Sequence, residues 1–160
     1  KLREVSEAAK KENENAVTEL DNTLLCINLD VHGGLIGTNS GNVLGPLELT
    51  AAVKILSKEL GSGIKVSESV GSTDSTSLSA VGIPSISLSR MTPTNSLMHS
   101  REDAIQWLAP SALQVHGAFL DEFLTRYVAK AVAFPFERTI PEKQKKDIED
   151  YFKKGGRKLP

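Results

Sequence analysis

The sequence predicts an α/β protein in which helices cover a mainly parallel sheet. Three short apolar segments, at 24–29, 64–70 and 83–89, alternate with segments of helical periodicity. The chain then finishes with helices, and strands that alternate with helices are typical of α/β domains. Only three strands are evident, whereas such sheets usually have about five or more. Either strands are missed, or the chain is part of a larger domain.

The first half of the chain is predicted to contain two helices and two strands. The predicted elements are a surface helix over 3–19, a strand over 24–29, a loop over 35–45, a helix over 46–60 and a strand over 64–70. The segment 24–29, LLCINL, is a continuous apolar run, which is typical of a strand buried on both faces. Because Gly and Asn residues recur through 35–45, this segment is predicted to be a loop.

The second half is predicted to be mainly helical after one strand. The predicted elements are a short helix over 75–81, a strand over 83–89, a loop over 90–98, helices over about 102–108 and 111–129, and a charged helix over 141–154. Ser100 is the predicted cap of the helix over 102–108, with Asp103 three residues further on. The long helix is predicted to bury one apolar stripe, formed by Leu113, Gly117, Leu120, Leu124, Tyr127 and Val128.

Composition excludes several classes of function. The 160 residues are 39% hydrophobic and 24% charged, which is ordinary for a globular protein. A net charge of −1 gives no basic field, so neither nucleic acid nor a membrane is an expected partner. The single cysteine, Cys26, excludes an internal disulfide and is predicted to be a buried small hydrophobe. The serine-rich segment 71–79 lacks the G-x-S-x-G pattern of a nucleophile elbow.

Four ionisable residues are candidates for chemistry, each with a simpler alternative. Asp30 follows a buried strand and is either a carboxylate at the sheet rim, a typical place for chemistry, or a turn aspartate. His32 forms an Asp-x-His pair that could bind a metal, although a loop histidine beside glycines is favoured. His99 precedes a predicted helix start, where Asp103 either holds its second ring nitrogen or only completes the cap. For His116, a packed and hydrogen-bonded histidine is favoured.

Three segments, taken in order, resemble one known family. They are INLDVHGG at 27–34, GSTDSTSLSAVGIPSISLSR at 71–90 and MHSREDAIQWLAPSALQVHGAFLDEFL at 98–124. This succession resembles the C-terminal half of co-catalytic zinc aminopeptidases of the bacterial leucyl aminopeptidase and aminopeptidase Y type. In that family a strand ends in an N-L-D motif whose Asp binds one zinc, and an H-T-x-x-D motif supplies a His to the other. The resemblance covers about residues 24–128.

The resemblance implies a fold and a set of site residues. The fold would be part of a three-layer α/β/α domain of the zinc-exopeptidase type, with a mainly parallel, mixed central sheet. Asp30 and His99 would each bind one of two zinc ions, and Asp103 would support the site without binding metal. Met91 and Met98 would face the pocket for the substrate side chain. The substrates would be peptides that lose their N-terminal residue.

The chain also departs from the family pattern. Ser100 replaces the usual Thr, Thr73 replaces the Ser of an S-D pair, and Ser75 stands where many members have His. The family's remaining metal ligands and its general-base Glu lie upstream of the N-L-D strand, and no Glu-Glu-Gly pattern precedes that strand here. The chain is therefore expected to be the C-terminal part of a larger catalytic domain, with 131–160 as a C-terminal extension. Without its N-terminal half as partner, it is expected to be inactive and to bind zinc weakly.

Two other functions stay open at this point. A glutaminyl-cyclase-like enzyme or an amidohydrolase would use a single zinc on the same fold. A non-catalytic relative would keep the fold as a binding module. Ligands and a general base upstream of the N-L-D strand would favour an enzyme, and their loss would favour the module.

Overall fold

The computed structural model of the chain describes residues 2–156. The helices are α1 (Leu2–Glu12), α2 (Glu19–Asn22), α3 (Leu47–Glu59), α4 (Asp74–Ser79), α5 (Pro110–Leu124) and α6 (Glu142–Lys154). The strands are β1 (Cys26–Leu29), β2 (Thr38–Leu44), β3 (Lys65–Ser67) and β4 (Ser85–Met91). Single turns of other helix types occur at Pro93–Leu97, Ile105–Trp107 and Thr125–Ala129. Within the described residues, no helix has the length and apolar character needed to cross a membrane.

The four strands form one mixed sheet in the order β1-β4-β2-β3. The pairs β1–β4 and β2–β3 are parallel, and the central pair β2–β4 is antiparallel. This confirms the predicted α/β class with a mostly parallel, mixed sheet. Because β1 and β4 are parallel neighbours, their carboxyl ends lie at the same edge of the sheet, which is where chemistry is usually found in such folds.

Helices cover both faces of this sheet, as two neighbouring residues of β2 make clear. Val43 packs in a cluster with α3 and α5, whereas Leu44 packs in a second cluster with α6. Adjacent strand residues point to opposite faces, so the two clusters lie on opposite sides of the sheet. The first cluster is the larger core and contains Phe119 and Phe123 of α5, both fully buried.

Strand β2 corrects the prediction of a loop over 35–45. It is a central strand whose buried Gly41 packs against its neighbours. A Cβ atom at Gly41 would lie 2.9 Å from Cγ2 of Ile64 and 3.5 Å from Cδ2 of Leu88. The glycine that indicates a loop in the sequence is therefore needed for close packing within the sheet.

The predicted helix over 3–19 is also wrong in its second half. Helix α1 ends at Glu12, where the Asn13 side chain accepts a hydrogen bond of 3.0 Å from the backbone N–H of Asn15. Such local side-chain bonds compete with helical hydrogen bonds and favour turns. The chain then folds back, and a 2.9 Å hydrogen bond between the hydroxyls of Ser6 and Thr18 joins α1 to the start of α2.

The predicted helix over 102–108 is absent. The Ser100 hydroxyl donates 2.6 Å to the Leu97 carbonyl and accepts 3.2 Å from the Glu102 backbone N–H, but no α-helix follows. Only a single 3₁₀ turn forms, at Ile105–Trp107. Pro110 then begins α5. Because proline has no backbone N–H, a helix over 102–108 could not continue through it.

Helix α5 confirms the predicted long helix but buries a different face. Its buried residues are Ala112, His116, Phe119 and Phe123. Leu113 and Leu124 of the predicted stripe are 48% and 39% exposed. Two aromatic side chains remove more apolar area from water than the smaller leucines, so they determine which face of the helix meets the sheet.

The C-terminal helix α6 confirms the predicted charged helix. It packs on the sheet through Ile148 and Phe152, which contact Leu44 of β2. The buried Gln144 side chain accepts a 2.8 Å hydrogen bond from the backbone N–H of Gly45. The predicted extension, 131–160, thus contributes to the core as far as it is described, and residues 157–160 lie outside the described part.

Candidate functional site

A cavity of about 210 Å³ lies where β1 and β4 end. The segment that follows β1 provides one wall, and the end of β4 with the residues after it provides another. The lining residues are Asp30, Val31, His32, Gly34, Arg90, Thr92, Thr94, Asn95, Met98, Asp103, Trp107 and Leu108. Both positive and negative side chains therefore face one small space.

Three of the five predicted site residues line this cavity. Asp30, Met98 and Asp103 are brought together there from segments far apart in the chain. Asp30 is placed by the sheet, because its backbone N–H donates 3.1 Å to the carbonyl of Leu88 in β4. Its carboxylate is exposed, as is that of Asp103. The fold therefore positions two free carboxylates at one site.

The other two predicted residues, His99 and Met91, do not line the cavity. His99 is exposed in a turn and has a positive φ of 64°, a backbone conformation that non-glycine residues rarely adopt. Its ring makes no hydrogen bond to any residue in 2–156. Met91 is 58% exposed, and its sulfur lies 3.8 Å from the side-chain nitrogen of Asn95.

A pair of histidines, the half-buried His32 and the buried His116, lies at the wall of the cavity. The Nδ1 atoms of His32 and His116 are 2.8 Å apart, and the two rings meet edge to face with centroids 4.7 Å apart. His116 is 3% exposed, which confirms the favoured interpretation of a packed, hydrogen-bonded histidine. His32, favoured as a plain loop histidine, is its partner. Both Nε2 atoms are buried and have no hydrogen-bond partner within 2–156.

The surroundings of this pair keep both rings neutral at pH 7. Burial, the neighbouring His32 and the positive charge of Arg90 together lower the pKa of His116 to about 4, with burial the largest cause. Burial also lowers the pKa of His32, against smaller opposing effects of the Leu88 backbone and Asp30. One hydrogen lies between the two Nδ1 atoms, so one ring donates and the other accepts, and protonation of the accepting Nδ1 would break the bond.

Sequence reasoning missed this pair, although one signal was available. His116 is in phase with Ala112, Phe119 and Phe123, at the 3–4-residue spacing of a single helix face. A prediction that this face of α5 is buried would have placed His116 against the sheet. No comparable signal identified His32, because its partner is 84 residues away.

Arg90 is the second functional candidate that the sequence reasoning missed. Its Nε donates 2.8 Å to the Gly34 carbonyl, and its Nη1 donates 2.6 Å to Oδ1 of Asn39 on the adjacent strand. Asn39 is itself held by a 2.9 Å bond from its Nδ2 to the Ser62 carbonyl. A Cβ atom at Gly34 would overlap the Thr92 methyl group, so a glycine is needed for this approach. Arg90 follows Ile86 and Leu88 at two-residue spacing and so lies on the same face of β4, and an arginine on that apolar face was the available signal.

Two serines of strand β4 form a packing surface against helix α4. Ser87 and Ser85 of β4 pair with Ser75 and Ser79 of α4 through hydroxyl hydrogen bonds of 2.6 and 2.8 Å. Close helix–sheet contact therefore needs small polar side chains here. Cys26 of β1 is half-buried, and burial together with the charge of Asp74 raises the pKa of its thiol. A protonated thiol agrees with the predicted role of a small hydrophobe.

The described donor residues fall short of the zinc site that the resemblance implies. Within residues 2–156, no group of three or more His, Cys, Asp or Glu side chains is arranged to hold a metal ion. A catalytic zinc normally has three protein ligands. The described residues alone therefore do not form a complete zinc site.

Comparison with known proteins identifies no relative of this chain. No family model, no curated protein and no solved structure matches it.

Proposed function

We propose that this chain is the C-terminal part of a zinc-dependent aminopeptidase. The observation that carries the proposal is the meeting of Asp30 and Asp103 in one cavity at the carboxyl ends of two parallel strands. These residues come from the first and third of the segments that resemble the family. Convergence of two such segments at one site is expected if they belong to one catalytic centre.

In this proposal Asp30 and His99 each bind one of two zinc ions. Asp30 is exposed, and its position is fixed by the β1–β4 pairing. The exposed His99 ring has no hydrogen-bond partner within 2–156, so its nitrogens are available to a metal. Asp103 supports the site, and Met98 contributes to the pocket for the substrate side chain.

The remaining ligands and the general base would come from the N-terminal half of the same domain. This division of the site explains why the described residues hold fewer than three ligands together. The zinc-exopeptidase type of fold is part of the same proposal. The mixed sheet with helices on both faces supports it.

The test uses the protein with its upstream residues included. Hydrolysis of leucine p-nitroanilide and zinc content by plasma emission are measured for the parent and for Asp30→Ala, His99→Ala and Asp121→Ala. Asp121 is an exposed carboxylate on α5 and serves as the matched control. We expect the first two variants to lose about one zinc ion each and most of the activity, because metal affinity depends steeply on each ligand. Asp121→Ala should keep both.

Other outcomes would identify a different function. Full zinc content in His99→Ala would contradict the proposed ligand. One zinc ion per parent molecule, with cyclisation of N-terminal glutamine, would indicate a glutaminyl-cyclase-like enzyme. A protein with neither zinc nor hydrolysis would be a binding module. Tight zinc binding by the 160-residue chain alone would contradict the divided site.

A further inference from the structure

We propose that Arg90 makes this cavity a binding site for a carboxylate carried by an amine-bearing ligand. The ligand class is a free amino acid derivative or short peptide with an acidic group close to its N-terminus. This inference rests on the proposed function, because it names the substrate class of the same cavity. It identifies Arg90 as the residue that determines specificity.

The guanidinium of Arg90 is held in place by neutral groups. The Gly34 carbonyl accepts from Nε, and the Asn39 side-chain oxygen accepts from Nη1. Three N–H donors are left, the two on Nη2 and one on Nη1. A guanidinium fixed in this way loses little conformational freedom when it binds a planar acid through these donors.

Arg90 has no counter-ion among the described residues. No carboxylate in 2–156 lies within 4.0 Å of it, whereas the exposed Arg126 pairs with both Glu59 and Glu122. Arg90 is nevertheless half-buried and lines the cavity. Arginine is seldom buried without a partner, because removing its charge from water is costly. An anionic ligand would provide that partner.

The cavity also contains negative charge, opposite to that of Arg90. Asp30 and Asp103 line it, and neither forms an ion pair with Arg90. In the metal-free chain, a ligand with both an ammonium and a carboxylate group would neutralise both signs in one space. The cavity, at about 210 Å³, is smaller than the roughly 300–1,000 Å³ of sites for drug-sized ligands. Its size therefore suits one or two amino-acid residues.

Such a carboxylate has two sources in a short peptide. It is either the side chain of an N-terminal acidic residue or the C-terminal carboxylate of a dipeptide. The two sources share one chemistry, and four compounds separate them. Glutamic acid α-amide carries only the side-chain acid, and glutamine α-amide is its neutral match. Leucyl-glycine carries only the terminal acid, and leucyl-glycinamide is its neutral match.

The experiment is a fluorescence titration of the metal-free chain. Trp107 is the single tryptophan and lines the cavity, so its emission reports directly on the site. We expect at least one of the two acids to bind about tenfold or more tightly than its amide, as charge-assisted hydrogen bonds typically allow. The acid that shows the preference identifies the source of the carboxylate. Equal affinity of acid and amide in both pairs would overturn the proposal.

Two substitutions separate ligand binding from a structural role of the arginine. Arg90→Gln should reduce the acid preference to less than about threefold, since one charged partner is lost. Arg138→Gln is the matched control, because the half-buried Arg138 also donates to two carbonyls, those of Thr23 and Leu20, at 2.9 Å. It does not line the cavity and should keep the full preference. A preference that persists in Arg90→Gln would contradict the proposal.

A further measurement does not depend on the folding of any variant. In ¹H–¹⁵N spectra of the parent chain, the Nε–H signal of Arg90 should shift when the preferred acid is added and stay fixed with its amide. Equal shifts with both compounds would contradict direct recognition. Failure of this binding is distinguishable from failure of the proposed function, because the titration contains no zinc and measures no hydrolysis. Acid binding by the chain, without aminopeptidase activity in the longer protein, would overturn only the proposed function.

Discussion

The Nδ1 atoms of His32 and His116 lie 2.8 Å apart, so one hydrogen bond joins the segment after β1 to helix α5. His32 lines the cavity, so this bond lies at the cavity wall. Since Asp30 is two residues before His32, the same bond helps to fix the backbone that presents the carboxylate. A hydrogen-bonded polar pair therefore links the site to the core helix α5.

The pair should make the stability of the chain dependent on pH. The pKa of His116 is about 4 in the folded state, below its ordinary value of about 6.5, so the unfolded state binds more protons between these values. The free energy of unfolding should therefore fall as the pH drops from 6.5 towards 5, before most carboxylates titrate. The slope is at most about 1.4 kcal/mol per pH unit for each histidine, and smaller where water reaches the pair.

Urea unfolding at pH 7, 6 and 5 measures this slope. His116→Leu should show a shallower slope, because one of the two buried titrating rings is removed. His99→Leu removes an exposed histidine and is the matched control, which should keep the parent slope. An identical slope in His116→Leu and the parent would rule out the pair as the cause.

Substitution of two glycines by alanine should have opposite effects. Gly41→Ala places a methyl group 2.9 Å from Cγ2 of Ile64, so we expect a loss of about 1–3 kcal/mol from overpacking. Gly117 is exposed on α5 with no atom within 4 Å of a built Cβ, and Gly117→Ala should stabilise by about 0.5–1 kcal/mol. Thermal and urea unfolding compare the two. Ile64→Ala removes Cγ2, so Gly41→Ala should cost less in an Ile64→Ala background than in the parent, and an undiminished cost would indicate another source of strain.

Truncation on the two faces of α5 tests which face is in the core. Phe123 is fully buried and contacts Phe136 and Tyr127, so Phe123→Ala should cost about 3–5 kcal/mol. Leu113 is 48% exposed, and Leu113→Ala should cost less than about 1 kcal/mol. Equilibrium unfolding of both variants gives the difference. Similar losses would mean that a further surface covers Leu113 in solution.

Removal of the hydrogen bond between Gly45 and Gln144 tests whether α6 belongs to the folded domain. Gln144→Leu leaves the buried backbone N–H of Gly45 without its acceptor, which should cost about 1–3 kcal/mol. Lys146→Ala on the exposed face of α6 is the control and should change the unfolding free energy by less than about 0.5 kcal/mol. If Gln144→Leu unfolds like the control, α6 does not contribute to the cooperative unit.

The candidate site was predictable only in part. Asp30 could be predicted because an apolar strand runs directly into it, and that pattern is local. Arg90 and the His32–His116 pair were missed because their partners lie far away in sequence, at Gly34 and Asn39 for Arg90. Burial of a polar group depends on such distant partners, which periodicity does not contain.

Local sequence patterns were enough to predict the α/β class and the approximate positions of β4, α3, α5 and α6, because apolar periodicity and chain-breaking residues act over a few neighbours. Packing between distant segments makes 38–44 a central strand and selects the face of α5 that is buried. It also brings Asp30, Arg90 and Asp103 into one cavity. These outcomes depend on side chains that fit together across the sheet, so packing between distant segments outweighs local preference there.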